Sequence, residues 1–162
     1  MAKKLVRKRP KKKIGAAPGT LVHVGEERGE AITVNVIDYD GETFHEELLA
    51  SNDVERSCQL RDSSTVSWIN VNGVHDIGNI EILGNCFGLH PLVLEDILNT
   101  DHRPKLEDYD DYLFLVLKML FYDPQEGIRT EQVSLVLGPN YVLSFQEQAS
   151  FATTTSIKPC AR

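Results

Sequence analysis

The stretch FGLHPLVLEDIL, residues 87–98, sets the organisation of the middle of this chain. Gly88 is expected to end one helix, because glycine adopts the left-handed backbone that closes a helix. Pro91 is expected to open the next helix, where the first position needs no N–H group. At helical spacing, the apolar face of this second helix consists of Val93, Leu94, Ile97 and Leu98. Glu95 and Asp96 then lie on its polar side.

Helical spacing also precedes Gly88. One face of this earlier helix consists of Ile77, Ile80, Leu83 and Phe87. Asp76 stands directly before them as a candidate N-cap, since a carboxylate there accepts backbone N–H groups. Farther upstream, Asp53 is expected to cap a short helix that runs through Leu60.

Runs of β-branched and aromatic residues on both sides of this helical section predict strands. Upstream they occupy residues 21–24, 32–37, 43–49 and 66–71, and the first two are expected to pair with each other. Downstream, residues 105–122 are predicted to form one strand, and residues 133–137 and 141–145 a hairpin around Gly138-Pro139-Asn140. Strands, then helices, then strands favour an α+β fold, an α/β/α sandwich with a mixed parallel/antiparallel sheet.

Composition divides the chain into three parts. Residues 20–147 carry the periodic patterns and form one domain, a size typical of a single hydrophobic core. Residues 1–19 are a basic, flexible leader, and residues 148–162 are polar without periodicity, so we predict a disordered tail. The three cysteines, at positions 58, 86 and 160, are odd in number and far apart, and we predict reduced thiols in a cytosolic setting.

The net charge of −7 is unevenly distributed. Eight of the 17 basic residues precede residue 14, and the remaining chain holds 9 basic and 24 acidic residues, a net charge of −15. Such an acidic body repels nucleic acid and attracts cations, so no nucleic-acid partner is expected. The basic leader is either a solvated tail or a contact for anionic lipid or nucleic acid. No apolar run approaches the roughly 18 residues that span a bilayer, so we expect a soluble chain.

The adjacent carboxylates of Glu95 and Asp96, with Asn99 between them on the same side of the helix, form half of a site for a hard cation. Mg²⁺ prefers oxygen ligands and keeps several of its waters, so a second surface must complete the site. Adjacent acids are also common on solvated helix faces, and spacing alone leaves that alternative open. A second acidic group, at residues 107, 108, 110 and 111, would alternate faces on a strand and would not converge on one ion.

Several stretches in combination resemble the CorA family of magnesium and cobalt transporters. They are residues 87–98, residues 61–64 (RDSS) with 68–70 (WIN), residues 103–105 (RPK) with Glu107 and Tyr112, residues 131–135 (EQVSL) and residues 144–147 (SFQE). They follow the family order and cover roughly residues 18–147. After Glu147 the chain does not resemble the family's continuation into further helices and two membrane spans.

The resemblance implies the cytoplasmic, regulatory domain of a homopentameric channel in the cell inner membrane, with no enzymatic activity. Mg²⁺, Co²⁺ or another divalent cation would be the regulatory ligand between neighbouring subunits. Asp96 matches the position of the main inter-subunit ligand and Glu95 that of a second, nearby site, with partner carboxylates on a helix after residue 147. Two alternatives remain open: a zinc-transporting relative of the same architecture, and a soluble metal-dependent hydrolase. The latter lacks support from any P-loop, GxSxG or HExxH motif in the sequence.

Overall fold

The computed structural model describes residues 19–24, 32–125 and 127–147. Within these residues the strands are β1 (Thr33–Tyr39), β2 (Phe44–Ala50), β3 (Val66–Asn72), β4 (Lys105–Asp108), β5 (Leu113–Asp123), β6 (Gly127–Leu137) and β7 (Tyr141–Gln146). The helices are a 3₁₀ helix (Ser51–Asp62), α1 (Ile77–Phe87) and α2 (Pro91–Leu98). None of the described helices is long and apolar enough to cross a membrane.

All described strands join one seven-stranded sheet in the order β2-β1-β3-β7-β6-β5-β4. β3 and β7 pair in parallel, and the other neighbours are antiparallel. Helices α1 and α2 lie between β3 and β7 along the chain, so they belong to the crossover that a parallel pair requires. The predicted α+β class with a mixed sheet is confirmed.

The hydrophobic core lies between the helices and one face of the sheet. Register places Val36, Ile69 and Leu143 side by side on that face, and each is at most 5% exposed. Phe87 of α1 and Ile97 of α2 belong to the same buried cluster. The opposite face is more open, and Leu113, Leu117 and Leu137 on it are 38%, 40% and 49% exposed. The described helices therefore cover one face of the sheet.

The predicted helix boundaries in the middle of the chain are confirmed. Asp76 caps α1 by accepting a hydrogen bond from the Asn79 N–H at 3.3 Å, and Gly88 closes the helix with φ of 67°. Pro91 opens α2. The expected cap at Asp53 is wrong, because the 3₁₀ helix begins at Ser51 and places Asp53 inside its first turn.

The predicted strand at residues 21–24 is wrong. Val24 forms only an isolated parallel bridge with Asn99, in which its N–H donates to the Leu98 carbonyl at 2.9 Å and its carbonyl accepts from Thr100 N–H. The end of a helix leaves carbonyls without intrahelical partners, and Val24 satisfies one of them. The predicted pairing with residues 32–37 is excluded because both edges of β1 are occupied by β2 and β3.

The single strand predicted at residues 105–122 is divided into the antiparallel pair β4 and β5. The chain reverses at Tyr109–Tyr112, where Asp110 has a φ of 61° and its N–H donates to Asp108 Oδ1 at 3.1 Å. Asp is one of the few residues that adopt this left-handed conformation at modest cost. Because of the reversal, β4 forms an edge of the sheet.

The prediction of reduced thiols is wrong for two of the three cysteines, since Cys58 and Cys86 form a disulfide. The 3₁₀ helix packs on α1 and brings their Cα atoms within 5.2 Å, although 28 positions separate them in sequence. Cys160 lies outside the described residues, as do the predicted leader up to residue 18 and the predicted tail from residue 148.

Candidate divalent-cation site on helix α2

Helix α2 presents its two faces as the sequence predicts. Val93, Leu94, Ile97 and Leu98 are at most 5% exposed and pack into the core. Glu95 and Asp96 lie on the other side and are half-buried. The helix thus holds two adjacent carboxylates on a rigid, anchored element.

Asp96 is already engaged by two cationic or potentially cationic side chains. Its Oδ1 lies 2.7 Å from His102 Nε2, and its Oδ2 lies 2.5 Å from Lys105 Nζ. Only 14% of the Asp96 side chain is exposed. The expectation of a carboxylate pointing freely away from the core is therefore corrected: Asp96 points from α2 towards the edge strand β4.

Glu95 and Asn99 have different neighbours. Glu95 Oε2 accepts a hydrogen bond from the backbone N–H of Gly19 at 3.0 Å, so the end of the leader lies against α2. Asn99 is the C-cap of α2, and its side-chain oxygen accepts from the Asp101 N–H at 3.4 Å. Glu95, Asp96 and Asn99 are close in sequence, as predicted, but their side chains contact three different partners.

Gln132 fastens the end of α2 to the sheet, a role that sequence reasoning missed. Its Nε2 donates to the backbone carbonyls of Asp96 at 3.2 Å and Asn99 at 3.0 Å. Its Oε1 accepts from the His102 N–H at 3.1 Å and from Lys118 Nζ at 3.2 Å. Gln132 is 3% exposed. Gln132 belongs to the EQVSL stretch that resembles the family, and that stretch was the available signal for it.

Lys105 has other neighbours besides Asp96. Its Nζ also lies 2.9 Å from Glu107 Oε1 and 5.4 Å from the centre of the Phe114 ring. Burial works to lower the pKa of Lys105, but hydrogen bonds and charges from Asp96 and Glu107 outweigh it and raise the pKa above its ordinary value. The hydrogen bond from Lys105 lowers the pKa of Glu107. Both partners are therefore charged at neutral pH.

The donor chemistry of Glu95 and Asp96 suits a hard cation such as Mg²⁺, which binds carboxylate oxygens. Over the described ranges, however, no group of three or more His, Cys, Asp or Glu side chains is placed to hold a metal ion. The carboxylate oxygens match Mg²⁺ in kind, but the described residues do not by themselves form a metal site.

The fold and this helix define an α+β domain in which a mixed sheet positions a helix bearing adjacent carboxylates. The family model described as CorA-like Mg²⁺ transporter protein matches residues 63–161 of the chain. The chain belongs to this family. The match extends beyond Glu147, where the resemblance described in the sequence analysis stops.

Individual relatives agree with this assignment. The chain is 47% identical over 142 residues to the cobalt/magnesium transport protein CorA of Thermotoga maritima, an alignment that covers 87% of this chain and 40% of that protein. Two solved structures share the fold. The ZntB cytoplasmic domain from Vibrio parahaemolyticus aligns with a TM-score of 0.56 and 12% identity, over 76% of this chain and 47% of that chain. The full-length CmaX protein aligns with a TM-score of 0.57 and 14% identity, over 79% and 38%. The chain spans less than half the length of each.

Proposed function

We propose that this chain is the cytoplasmic regulatory domain of a Mg²⁺/Co²⁺ channel, and that it senses divalent cations through Asp96, with Glu95 at a second site. One observation carries the proposal: α2 holds the Asp96 carboxylate at a fixed position, only partly open to solvent, in a chain that belongs to the CorA-like family. A carboxylate placed this way accepts a cation without first having to be ordered.

The rest of the channel would lie in sequence beyond the matched part, because this chain spans 40% of the length of the Thermotoga protein. We propose that the additional sequence supplies the membrane spans and the partner carboxylates, and that the complete protein is a homopentamer in the cell inner membrane. In that arrangement, Asp96 of one subunit faces carboxylates of its neighbour across a shared ion.

The regulatory mechanism is a population shift. A divalent ion between two acidic surfaces offsets their repulsion and favours the arrangement in which the subunits are close together. When the ion leaves, like charges separate the subunits, and the open population rises. The ion shifts the equilibrium only to the extent that it binds one arrangement more tightly than the other.

The ion that the channel transports is a separate question from the ion that it senses. Similarity to the ZntB domain at 12% identity concerns the fold alone, so a zinc-transporting relative stays the alternative within this architecture. The family is one of transporters rather than enzymes, which leaves the hydrolase alternative without support.

The test is the substitution Asp96→Asn in the full-length protein that contains this chain. The amide nearly preserves shape and removes one negative charge from a site for a dication. We expect that protection from protease requires about a tenfold higher Mg²⁺ concentration, equivalent to about 1.4 kcal/mol. Glu95→Gln is expected to act in the same direction with a smaller shift.

Asp101→Asn is the matched control, because Asp101 is an exposed acid five positions away from Asp96. It makes the same change in charge and should leave the Mg²⁺ dependence as in the wild type. Equal protection of Asp96→Asn and wild type at every Mg²⁺ concentration would rule out Asp96 as the sensing ligand.

A further inference from the structure

We propose that Lys105 is an internal competitor of the divalent cation: its ammonium group and the metal ion bind the same Asp96 oxygen, so the ion must displace Lys105 in order to bind. This inference rests on the proposed function, because it concerns the same carboxylate. It adds a residue that sets how much Mg²⁺ the sensor requires.

The contact geometry makes the competition direct. Lys105 Nζ lies 2.5 Å from Asp96 Oδ2, so an ion at that oxygen would overlap the ammonium group. The other oxygen, Oδ1, lies 2.7 Å from His102 Nε2. The Lys105 side chain is 25% exposed and the Asp96 side chain 14%, so water screens their attraction less than on an open surface.

Lys105 has a second partner that remains when the ion arrives. Glu107 Oε1 lies 2.9 Å from the same Nζ, and Tyr109 Oη donates to the other Glu107 oxygen at 3.1 Å, which holds this carboxylate in place. The backbone of Lys105 is fixed by the pairing of β4 with β5. The ammonium can therefore leave Asp96 and stay bound to Glu107 without any movement of the strand.

The consequence is a lower affinity of the Asp96 site for divalent ions. A dication attracts a carboxylate more strongly than an ammonium group does, so Mg²⁺ can prevail, but only at the higher concentration needed to break the existing ion pair. Lys105 thus raises the concentration at which the sensor responds. Removing its charge should make the site tighter, the opposite of what is expected when a residue that helps to hold a ligand is lost.

The experiment is a titration of the isotope-labelled 162-residue chain with MgCl₂, with total ionic strength kept constant by NaCl. Amide NMR signals of Glu95 and Asp96 report binding. We expect weak binding by the wild type and about tenfold tighter binding by Lys105→Met, a change equivalent to about 1.4 kcal/mol. Lys105→Arg keeps the charge and should bind like the wild type.

Arg103→Met serves as the control for net charge, because Arg103 is an exposed cation two positions from Lys105. It should leave the Mg²⁺ affinity unchanged. If Arg103→Met tightens binding as much as Lys105→Met does, the effect comes from overall charge, and direct competition is wrong. Equal tightening by Lys105→Arg would also overturn the proposal.

Asp96→Asn separates this inference from the function on which it rests. If Asp96→Asn binds Mg²⁺ like the wild type, Asp96 is not a ligand, and both proposals fail. If Asp96→Asn weakens binding while Lys105→Met does not tighten it, only the competition by Lys105 is wrong.

The side-chain ammonium signal of Lys105 gives a measurement that needs no variant. In the wild type it should shift in step with the α2 amides as Mg²⁺ is added, because the bond to Asp96 is broken. A Lys105 signal that stays unchanged while those amides shift would contradict the displacement.

Discussion

Tyr112 and His90 fix the start of the helix that carries the candidate ligands. The His90 N–H donates to Tyr112 Oη at 2.9 Å, and His90 Nδ1 accepts from the Leu92 N–H at 3.2 Å. Burial raises the pKa of Tyr112, so its hydroxyl stays protonated and uncharged at neutral pH. The bond to Tyr112 connects the first turn of α2 to the turn between β4 and β5, and the bond to Leu92 caps the helix.

The substitution Tyr112→Phe tests the first of these contacts. The ring keeps its packing, but the His90 N–H loses its acceptor, and we expect the free energy of unfolding to fall by about 1 kcal/mol. Urea unfolding measures the change. Tyr122→Phe removes the hydroxyl of a tyrosine that is 73% exposed and should have no effect. Equal stability of both variants would show that the bond to His90 contributes nothing.

At the scale of elements, the disulfide joins the 3₁₀ helix to α1. Cys58 and Cys86 are both half-buried, with Glu55, Ile82 and Asn85 around them at a shallow surface depression. Arg61 adds a second connection, since its Nη1 donates to the Cys86 carbonyl at 3.0 Å. Two links of different chemistry therefore connect these helices, and only one of them depends on oxidation.

Reduction of the disulfide should lower the stability of the chain without unfolding it. Closing a loop of 28 positions restricts the unfolded chain and contributes about 3.6 kcal/mol. We expect that loss when urea unfolding is repeated with a reductant. The double variant Cys58→Ser/Cys86→Ser should not respond to the reductant, whereas Cys160→Ser should respond like the wild type. Coincident wild-type curves with and without reductant would mean that the bond does not form in solution.

At the scale of the whole molecule, and among the described residues, one face of the sheet is covered by helices and the other face is open. On the open face Leu113 lies directly opposite Leu137, and Leu117 lies on the same side of β5. These three leucines are 38%, 49% and 40% exposed. Contiguous apolar surface of this kind marks an interaction site or a liability to associate.

We expect the 162-residue chain to self-associate through this face. Sedimentation velocity should show a molecular mass that rises with protein concentration, and the double substitution Leu113→Thr/Leu137→Thr should shift the chain towards the monomer. Leu120→Thr is the control, because Leu120 is 68% exposed on the same hairpin but points to the other side of the sheet. A chain that stays monomeric at every concentration would contradict the prediction.

The elements of this fold follow from local sequence patterns. The Asp76 cap, the glycine at position 88 and Pro91 mark the helix ends because each acts on backbone within a few residues of itself. The hairpin of β6 and β7 and the apolar face of α2 were predicted for the same reason. Residues 21–24 and 105–122 show the limit of such patterns. Strand propensity did not reveal that residues 21–24 have no strand partner beyond one bridge. It also did not reveal that the chain reverses at Asp110.

The sequence by itself determined that Glu95 and Asp96 share the polar side of a helix, because the period of the helix fixes which residues face the core. Only the tertiary structure decided what those carboxylates contact. The reversal after Asp108 places β4 beside β5, Gln132 fastens the end of α2, and Lys105 thereby comes within hydrogen-bond distance of Asp96. The disulfide arises in the same way, from helices packed together across 28 positions. Ion pairs and disulfides depend on distances in space, and local periodicity carries no information about those distances.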